Sequence, residues 1–195
     1  IKEGPDGLIY IVSIGDGKIY RLIPAEKISS NYVKNCSQEL KPRVNLSECD
    51  LSDSDLQNAD LSFSNLSFSN LENANLSNAN LHGATLSSAN LVNTYLNGAD
   101  MSNAEMGSVI LKGVNLENIN LKNANLKGAN LENAMLANAD LSNTNLENAN
   151  LSNVDLSNAN LSNANLKNTN LDNAMLANAD LSNTNMVHTK LNHAN

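Results

Sequence analysis

A period of five residues runs through most of this chain and constrains its fold more than any other feature. Leu or Met occupies every fifth position from Leu46 to Leu191, which makes thirty consecutive sites. An amphipathic helix would repeat its apolar residues every ~3.6 residues and a strand every ~2 residues, so neither element produces this pattern. A chain that turns a corner every five residues does produce it.

The residues around each Leu indicate what kind of corner this is. Asn or Gly stands two positions after the Leu or Met in twenty-two of the thirty repeats. A type II turn needs a positive φ at its third residue, which Gly and Asn tolerate best. Two positions before the Leu, the side chain is usually small, as at Ala74 and Cys49. Four corners then make a square coil of twenty residues, with the Leu and the small residue inside and the other three positions outside.

The stretch "ANLSNANLKNTNLDNAMLANADLSN" resembles the pentapeptide-repeat family, whose pattern is A-(D/N)-L-x-x. The resemblance covers residues 44–195. It implies an all-β fold, the right-handed quadrilateral β-helix, with about 7.5 coils. At about 4.8 Å per stacked coil the rod would be ~36 Å long.

A longer repeat supports the twenty-residue coil without the family. The sequence "NLENAMLANADLSNTN" at 130–145 returns as "NLDNAMLANADLSNTN" at 170–185, an offset of forty residues. Forty residues are two coils, so a tandem duplication of this length leaves every face in register, as expected for a stack in which each repeat contacts only its neighbours.

The first residues differ from the repeats, and we predict three segments: a β-hairpin at 1–23, a connector at 24–43 and the solenoid at 44–195. In the hairpin, strands Leu8–Ile14 and Lys18–Ile23 flank a Gly15-Asp16-Gly17 turn. The segment "GPDGLIYIVSIGDGKIYRLIP" also resembles the closing blade of a β-propeller of the soluble sugar-dehydrogenase kind. That resemblance implies an upstream propeller in a longer protein, whereas the alternative is a local hairpin that caps the solenoid.

The two ends of the solenoid and the two cysteines lead to further expectations. The connector is the natural cap of the first coil, because the unpaired N–H and C=O groups of an open parallel edge can pair with another chain. The last coil has no comparable cap in this sequence, so either the natural chain continues past Asn195 or this end associates with another copy end to end. A Cys36–Cys49 disulfide would attach the cap to the rod and would favour an extracytoplasmic location. The alternative is two unrelated thiols.

Charge is unevenly distributed along the chain. Residues 44–195 carry nine Asp and six Glu against five Lys, a net charge of −10, whereas residues 1–43 carry a net charge of +2. An acidic rod repels nucleic acid and anionic membrane surfaces. We therefore expect a protein partner, no nucleic acid and no membrane insertion. Lys127, Glu147 and Lys167 align at twenty-residue spacing and predict a solvated ladder of ion pairs.

Two outward columns at twenty-residue spacing define the candidate partner surface. In one column Asp and Asn alternate from Asp60 to Asp180, which keeps carboxylates about 10 Å apart. The neighbouring column places apolar residues at positions that are normally polar and exposed. The candidate residues are Asp60, Tyr95, Asp100, Met135, Asp140, Met175 and Asp180. The alternative is duplication combined with tolerance at the surface.

No catalytic constellation is visible in the sequence. It contains no phosphate-binding Gly loop and no nucleophile–base pair, and His82, His188 and His193 are interpreted as surface residues. We predict no catalytic residues, no cofactor and no metal, because acid–base chemistry needs a pocket that shifts pKa values and a convex rod offers none.

We therefore expect a non-catalytic structural or protein–protein interaction module. One alternative is a DNA-mimic inhibitor of a topoisomerase such as gyrase, which the family resemblance implies for its quinolone-resistance members. Another is a docking domain attached to an upstream propeller enzyme. A carbohydrate-binding or ice-binding face is less favoured, because threonines do not line one column.

Overall fold

The computed structural model describes three strands near the N-terminus, Cys36, and residues 39–195. The strands are β1 (Lys2–Glu3), β2 (Leu8–Ile11) and β3 (Arg21–Pro24), and they form one antiparallel sheet in the order β1-β2-β3. β2 pairs with β3 in the register Ile9↔Ile23. The predicted Gly15-Asp16-Gly17 turn lies outside the described residues, and β1 was not among the strands predicted from the sequence. The boundaries at residues 23 and 43 stay a prediction.

Residues 44–195 wind into a coil that repeats every twenty residues. Parallel bridges join most outward positions to the one a coil later, from Asn45↔Asn65 to Asn170↔Lys190. Backbone hydrogen bonds also connect successive coils. For example, the Leu46 N–H donates to the Asn65 carbonyl at 2.7 Å, and the Asn65 N–H donates to the Val44 carbonyl at 2.9 Å. The four-sided β-helix predicted from the sequence is confirmed.

Every corner is a tight turn with one left-handed residue. At the first corner the Cys49 N–H donates to the Leu46 carbonyl at 3.2 Å, and Glu48 has φ of 58°. The same third turn position has a positive φ in all thirty repeats, between 56° and 73°. Asn tolerates this conformation better than other non-Gly residues. The Asn/Gly column of the sequence is therefore a backbone requirement, and it is met even where the residue is Phe, Ser or His.

The core is a stack of Leu and small side chains with no polar interruption among its large members. The twenty-six Leu or Met sites from Leu46 to Leu171 are each at most 1% exposed. The last four sites, from Leu176 to Leu191, are more exposed, since the last coil has a neighbour on one side only. Burying one Leu contributes roughly 1.5–3 kcal/mol, so this repeated burial is the main stabilising term.

Small polar residues inside the coil are satisfied by backbone carbonyls. The Thr144 hydroxyl donates to the Leu141 carbonyl at 2.7 Å in its own turn, whereas the Thr169 hydroxyl donates to the Leu146 carbonyl in the preceding coil at 2.8 Å. A buried hydroxyl without a partner would cost about 1–3 kcal/mol. Ser and Thr therefore replace Ala at this position without leaving an unpaired group.

Cys36 and Cys49 form a disulfide, with their Cα atoms 5.8 Å apart. Cys49 is buried at the small-residue position of the first coil, and Cys36 packs against the same core. The bond therefore ties the connector covalently to the first coil.

The core predicts a strong contrast between adjacent positions of one pentad. We expect Leu121→Ala to lower the free energy of unfolding by about 2–5 kcal/mol, because it opens a cavity in a fully buried stack. Lys122→Ala, at the exposed next position, should change it by less than about 0.5 kcal/mol. Denaturant titration followed by circular dichroism measures both. Equal effects of the two substitutions would contradict the assignment of inside and outside.

Candidate interaction surface

The candidate residues lie on two adjacent faces of the rod. We call the column Asp55, Asn75, Tyr95, Asn115, Met135, Asp155 and Met175 the apolar column, after its three apolar members. We call the column Asp60, Asn80, Asp100, Asn120, Asp140, Asn160 and Asp180 the acidic column. Parallel bridges connect successive members within the columns, as at Asp155↔Met175 and Asn160↔Asp180, although none joins Tyr95 to Asn115. One corner of the coil separates the two columns.

The three apolar side chains of the first column project into solvent. Tyr95 is 61% exposed, Met135 40% and Met175 45%. Their backbones take part in the ordinary coil pairing, since the Tyr95 N–H donates to the Ala74 carbonyl at 2.9 Å. The fold therefore does not need these side chains, because Asn75 and Asn115 occupy equivalent positions.

Hydrogen bonds to the rod hold the aspartates of the acidic column. Oδ1 of Asp100 accepts the Ser102 N–H at 3.0 Å and the Asn120 amide at 3.0 Å. Asp60 and Asp140 accept the same two kinds of donor, from the residue two positions later and from the Asn of the next coil. The alternation of Asp and Asn is thus directional, because each Asn donates back to the Asp that precedes it by twenty residues.

Asp180, the last member of this column, shows the electrostatic consequence. The Ser182 N–H donates to its Oδ1 at 2.9 Å. This backbone hydrogen bond, followed by the Ser182 hydroxyl, holds the pKa of Asp180 below its usual value, because both stabilise the carboxylate form.

Each apolar residue has an aspartate of the acidic column five positions later in the same coil. Tyr95 precedes Asp100, Met135 precedes Asp140 and Met175 precedes Asp180. The structure therefore places six of the seven candidate residues as three equivalent pairs along the rod. Asp60 lies at the N-terminal end of the acidic column, in a coil where the apolar column carries Asp55 instead.

Sequence reasoning missed an aromatic cluster at the corner that follows the acidic column. The Arg43 guanidinium lies 5.1 Å from the centre of the Phe63 ring, and the His82 ring meets Phe63 edge-on at 5.3 Å. Nδ1 of His82 is 2.8 Å from the Ser102 hydroxyl. Gly83 has φ of 62°, and a Cβ there would lie 2.6 Å from the Phe63 ring. The sequence feature that could have indicated this cluster is Phe63 itself, because the following coils carry only Gly or Asn at the same corner position up to residue 183.

Lysine and glutamate side chains form a ladder of ion pairs on another side of the rod. Lys127 pairs with Glu147 at 3.2 Å and Lys167 with the same carboxylate at 3.8 Å, as the twenty-residue spacing predicted. Among the described residues, no three His, Cys, Asp or Glu side chains group closely enough to hold a metal ion. The part of the chain that the structure describes contains no helix with the length and hydropathy that crossing a bilayer requires.

Because the hydrogen bonds of the acidic column run from Asn to Asp, replacing an Asn with Asp should change stability more than replacing an Asp with Asn. We expect Asn120→Asp to destabilise the rod by about 1–2 kcal/mol at neutral pH, because it removes the donor to Asp100 and stacks three carboxylates, at positions 100, 120 and 140, about 4.8 Å apart. The loss should shrink as the pH falls, since protonating one carboxyl relieves the repulsion and restores a donor. Thermal unfolding at several pH values measures both effects.

The matched control is Asp100→Asn, which should change stability by less than about 0.5 kcal/mol. An Asn at that position can join a continuous amide ladder like the one in which Asn145 donates to Asn125 at 3.2 Å and Asn165 donates to Asn145 at 3.1 Å. Equal destabilisation by both substitutions would show that the direction of the hydrogen bonds is unimportant.

Three solved structures illustrate what the coil is similar to. HetL from Nostoc sp. strain PCC 7120, a pentapeptide repeat protein involved in heterocyst differentiation regulation, is 29% identical over 78% of this chain and 87% of its own, with a TM-score of 0.35. A thylakoid-lumen pentapeptide repeat protein from Arabidopsis thaliana is 26% identical over 70% of this chain and 79% of its own, with a TM-score of 0.28.

The third is a trypsin-treated form of QnrB1, a plasmid-mediated fluoroquinolone resistance protein. It is 17% identical over 78% of this chain and 82% of its own, with a TM-score of 0.31. At these TM-scores the three likenesses carry no argument about what this chain does. A comparison with curated proteins finds no match.

A family model provides the stronger finding. The model described as pentapeptide repeats (8 copies) matches residues 43–78, 79–118, 115–153 and 155–192. These matches span the solenoid, more than half of the chain, and follow the same pentads whose corners and core are described above. This protein therefore belongs to the pentapeptide-repeat family.

Proposed function

We propose that the chain is a non-catalytic protein–protein interaction module, a rigid rod that presents a binding surface on the apolar and acidic columns. The observation that carries this proposal is the exposure of Tyr95, Met135 and Met175 in one column, at positions where Asn satisfies the fold. Tyr and Met are enriched in protein interfaces relative to the rest of a protein surface. Exposed apolar groups in a line indicate an interaction surface more than scattered ones do.

The rigidity of the rod supports this role. Association loses free energy to the ordering of side chains and loops at the interface. Here backbone hydrogen bonds to the neighbouring coils hold most surface positions, and the aspartates of the acidic column are already held by hydrogen bonds. The surface is therefore largely preorganised before a partner arrives.

The same geometry is the reason for proposing no catalytic role. The carboxylates of the two columns lie on the outside of a convex rod, two coils or more apart within each column and on different faces where they share a coil. General acid–base catalysis needs such groups within hydrogen-bond reach of one substrate atom.

The attachment of this rod to an upstream propeller enzyme would be compatible with a docking role.

A site-specific photo-crosslinking experiment tests the proposed surface. A benzophenone amino acid is placed at Met135 in one variant and at Glu105, an exposed residue on the opposite face, in the control. In cells that naturally express the protein, we expect a discrete crosslinked product from position 135 and none from position 105. The purified product should also bind the triple variant Tyr95→Asn, Met135→Asn, Met175→Asn at least tenfold more weakly than the unmodified chain. Identical products from both positions would contradict the proposal.

The net charge of −10 favours one second candidate, a DNA-mimic inhibitor of a topoisomerase. The charge density of the rod and the spacing of its carboxylates argue against this candidate. Duplex DNA carries one negative charge per ~1.7 Å, or about twenty over a rod of ~36 Å, which is twice the net charge of this solenoid. The aspartates of the acidic column stand about 9.6 Å apart, well beyond phosphate spacing.

A gyrase supercoiling assay distinguishes the two candidates. We expect the purified chain, at micromolar concentration, to leave DNA supercoiling unchanged within about 20%, because its carboxylates do not reproduce the phosphate spacing of DNA. Bovine serum albumin at the same concentration controls for non-specific effects of an acidic protein. Inhibition that is lost in the variant Asp100→Asn, Asp140→Asn, Asp180→Asn would establish the DNA-mimic role instead.

A further inference from the structure

The net negative charge of the solenoid lies on one side of the rod. One half consists of the apolar column, the acidic column, the corner between them and the corner that precedes the apolar column. This half carries a single lysine, Lys112. Its eleven acidic residues are Asp53, Asp55, Asp60, Glu72, Asp100, Glu117, Glu132, Asp140, Asp155, Asp172 and Asp180.

The other half of the rod is electrically balanced. It carries four acidic residues against four lysines, Lys122, Lys127, Lys167 and Lys190. The whole net charge of −10 therefore lies on the half that also presents Tyr95, Met135 and Met175. Lys112 is itself paired with Glu132 at 2.9 Å. Charge complementarity favours a basic partner for this half, because the same half of a second copy, or any other acidic surface, would be repelled.

The surface of this half repeats every two coils. The pairs Tyr95 with Asp100, Met135 with Asp140, and Met175 with Asp180 follow one another at forty-residue intervals. Two coils rise about 9.6 Å, so apolar groups recur at about 0, 9.6 and 19.2 Å along the axis, each with a carboxylate on the adjoining face. A ligand that lies along the rod matches this surface only if its own repeat is close to 9.6 Å.

Polyproline II is the regular backbone whose repeat matches. It has three residues per turn and rises about 3.1 Å per residue, so one side recurs every ~9.3 Å. Over the three apolar groups the mismatch is only about 0.6 Å. An α-helix read at heptad spacing repeats every ~10.5 Å and drifts by about 1.8 Å over the same distance. A β-strand presents the same side every ~6.7 Å and falls out of register at the second group.

We propose that the apolar and acidic columns bind an extended, basic polyproline II segment that runs along the rod. This proposal rests on the interaction role proposed above and specifies the chemistry of the partner. Every third residue of the segment is apolar, Pro in the simplest case, and packs on Tyr95, Met135 or Met175. The residue next to it in each turn is Arg or Lys and faces Asp100, Asp140 or Asp180.

The geometry of the acidic column suits this arrangement. Both hydrogen bonds that hold Asp100 end on its Oδ1, as do those of Asp140. Among the described residues, neither of these bonds involves Oδ2, which leaves that oxygen to face a cation. A guanidinium can then bind a carboxylate whose orientation is already set, so little side-chain entropy is lost at the acidic column.

Binding of a synthetic peptide tests the proposal. The probe is a fluorescein-labelled dodecapeptide of four Pro-Arg-Pro units, which spans ~37 Å as polyproline II. A shuffled peptide with the same composition, but with Arg at irregular spacing, keeps the charge and the backbone while losing the register. A basic amphipathic helix of equal charge tests the helical alternative. Fluorescence anisotropy at low and at physiological salt gives the dissociation constants.

We expect the regular peptide to bind at least fivefold more tightly than either control. The triple variant Tyr95→Asn, Met135→Asn, Met175→Asn should weaken binding at least tenfold, as should Asp100→Asn, Asp140→Asn, Asp180→Asn, which should also reduce the salt dependence. Asn occupies intervening positions of both columns, so these variants should fold, and circular dichroism checks that they do.

Matched control variants lie on the balanced half of the rod. Ile110→Asn removes an exposed apolar side chain there, and the triple variant Asp50→Asn, Glu105→Gln, Glu147→Gln removes three negative charges. Each should change the affinity by less than twofold. A loss as large as that of the corresponding variants on the acidic half would overturn the proposal, because it would show attraction to charge or apolar surface in general.

The remaining outcomes separate this inference from the proposed function. Equal binding of the regular, shuffled and helical peptides, or no binding of the regular peptide up to 1 mM, would overturn the polyproline II assignment. A specific crosslink from Met135 in the same protein would then leave the interaction role standing with a partner of different chemistry. Absence of that crosslink would remove the interaction role itself.

Discussion

Hydrogen bonds between residues about twenty positions apart are the interaction on which the rest of the structure depends. They connect neighbouring coils, as between Leu46 and Asn65 and between Asn65 and Val44. They form because the corners close in the same way, with a left-handed third residue and, in nearly all of them, a hydrogen bond across the turn. The regular corner makes the coil, and the coil turns a linear sequence into columns.

Columns explain why surface and core obey different rules here. Inside, a column position accepts only Leu or Met beside a small residue, because the next coil covers it completely. Outside, Asn is the default occupant, since its oxygen accepts a backbone N–H of its own pentad and its amide donates to the preceding coil. An Asp accepts both bonds but donates none, so it suits a position below an Asn.

Departures from that default are therefore informative about function. Tyr95, Met135 and Met175 give up a ladder hydrogen bond and gain no burial from the fold. They coincide with the half of the rod that holds the entire net charge of the solenoid. Apolar groups that recur every two coils beside carboxylates of the same period are better explained by an extended basic partner than by the needs of the fold. The forty-residue sequence repeat contains two of the three pairs, whereas Tyr95 with Asp100 lies outside it.

Much of this architecture could be predicted from the sequence because its determinants are local. The Leu46–Leu191 period, the Asn and Gly corners and the forty-residue repeat required a four-sided coil, and the columns of Asp60 and Tyr95 followed by counting in twenties. Other features depend on contacts that counting does not reveal. The direction of the Asn120 to Asp100 hydrogen bond, the packing of Phe63 between Arg43 and His82 over Gly83, and the pairing of β1 with β2 appear only in three dimensions. The period determined which residues face outward, whereas the tertiary structure decided which of them touch, because side-chain contacts depend on rotamers and on neighbours a full coil away.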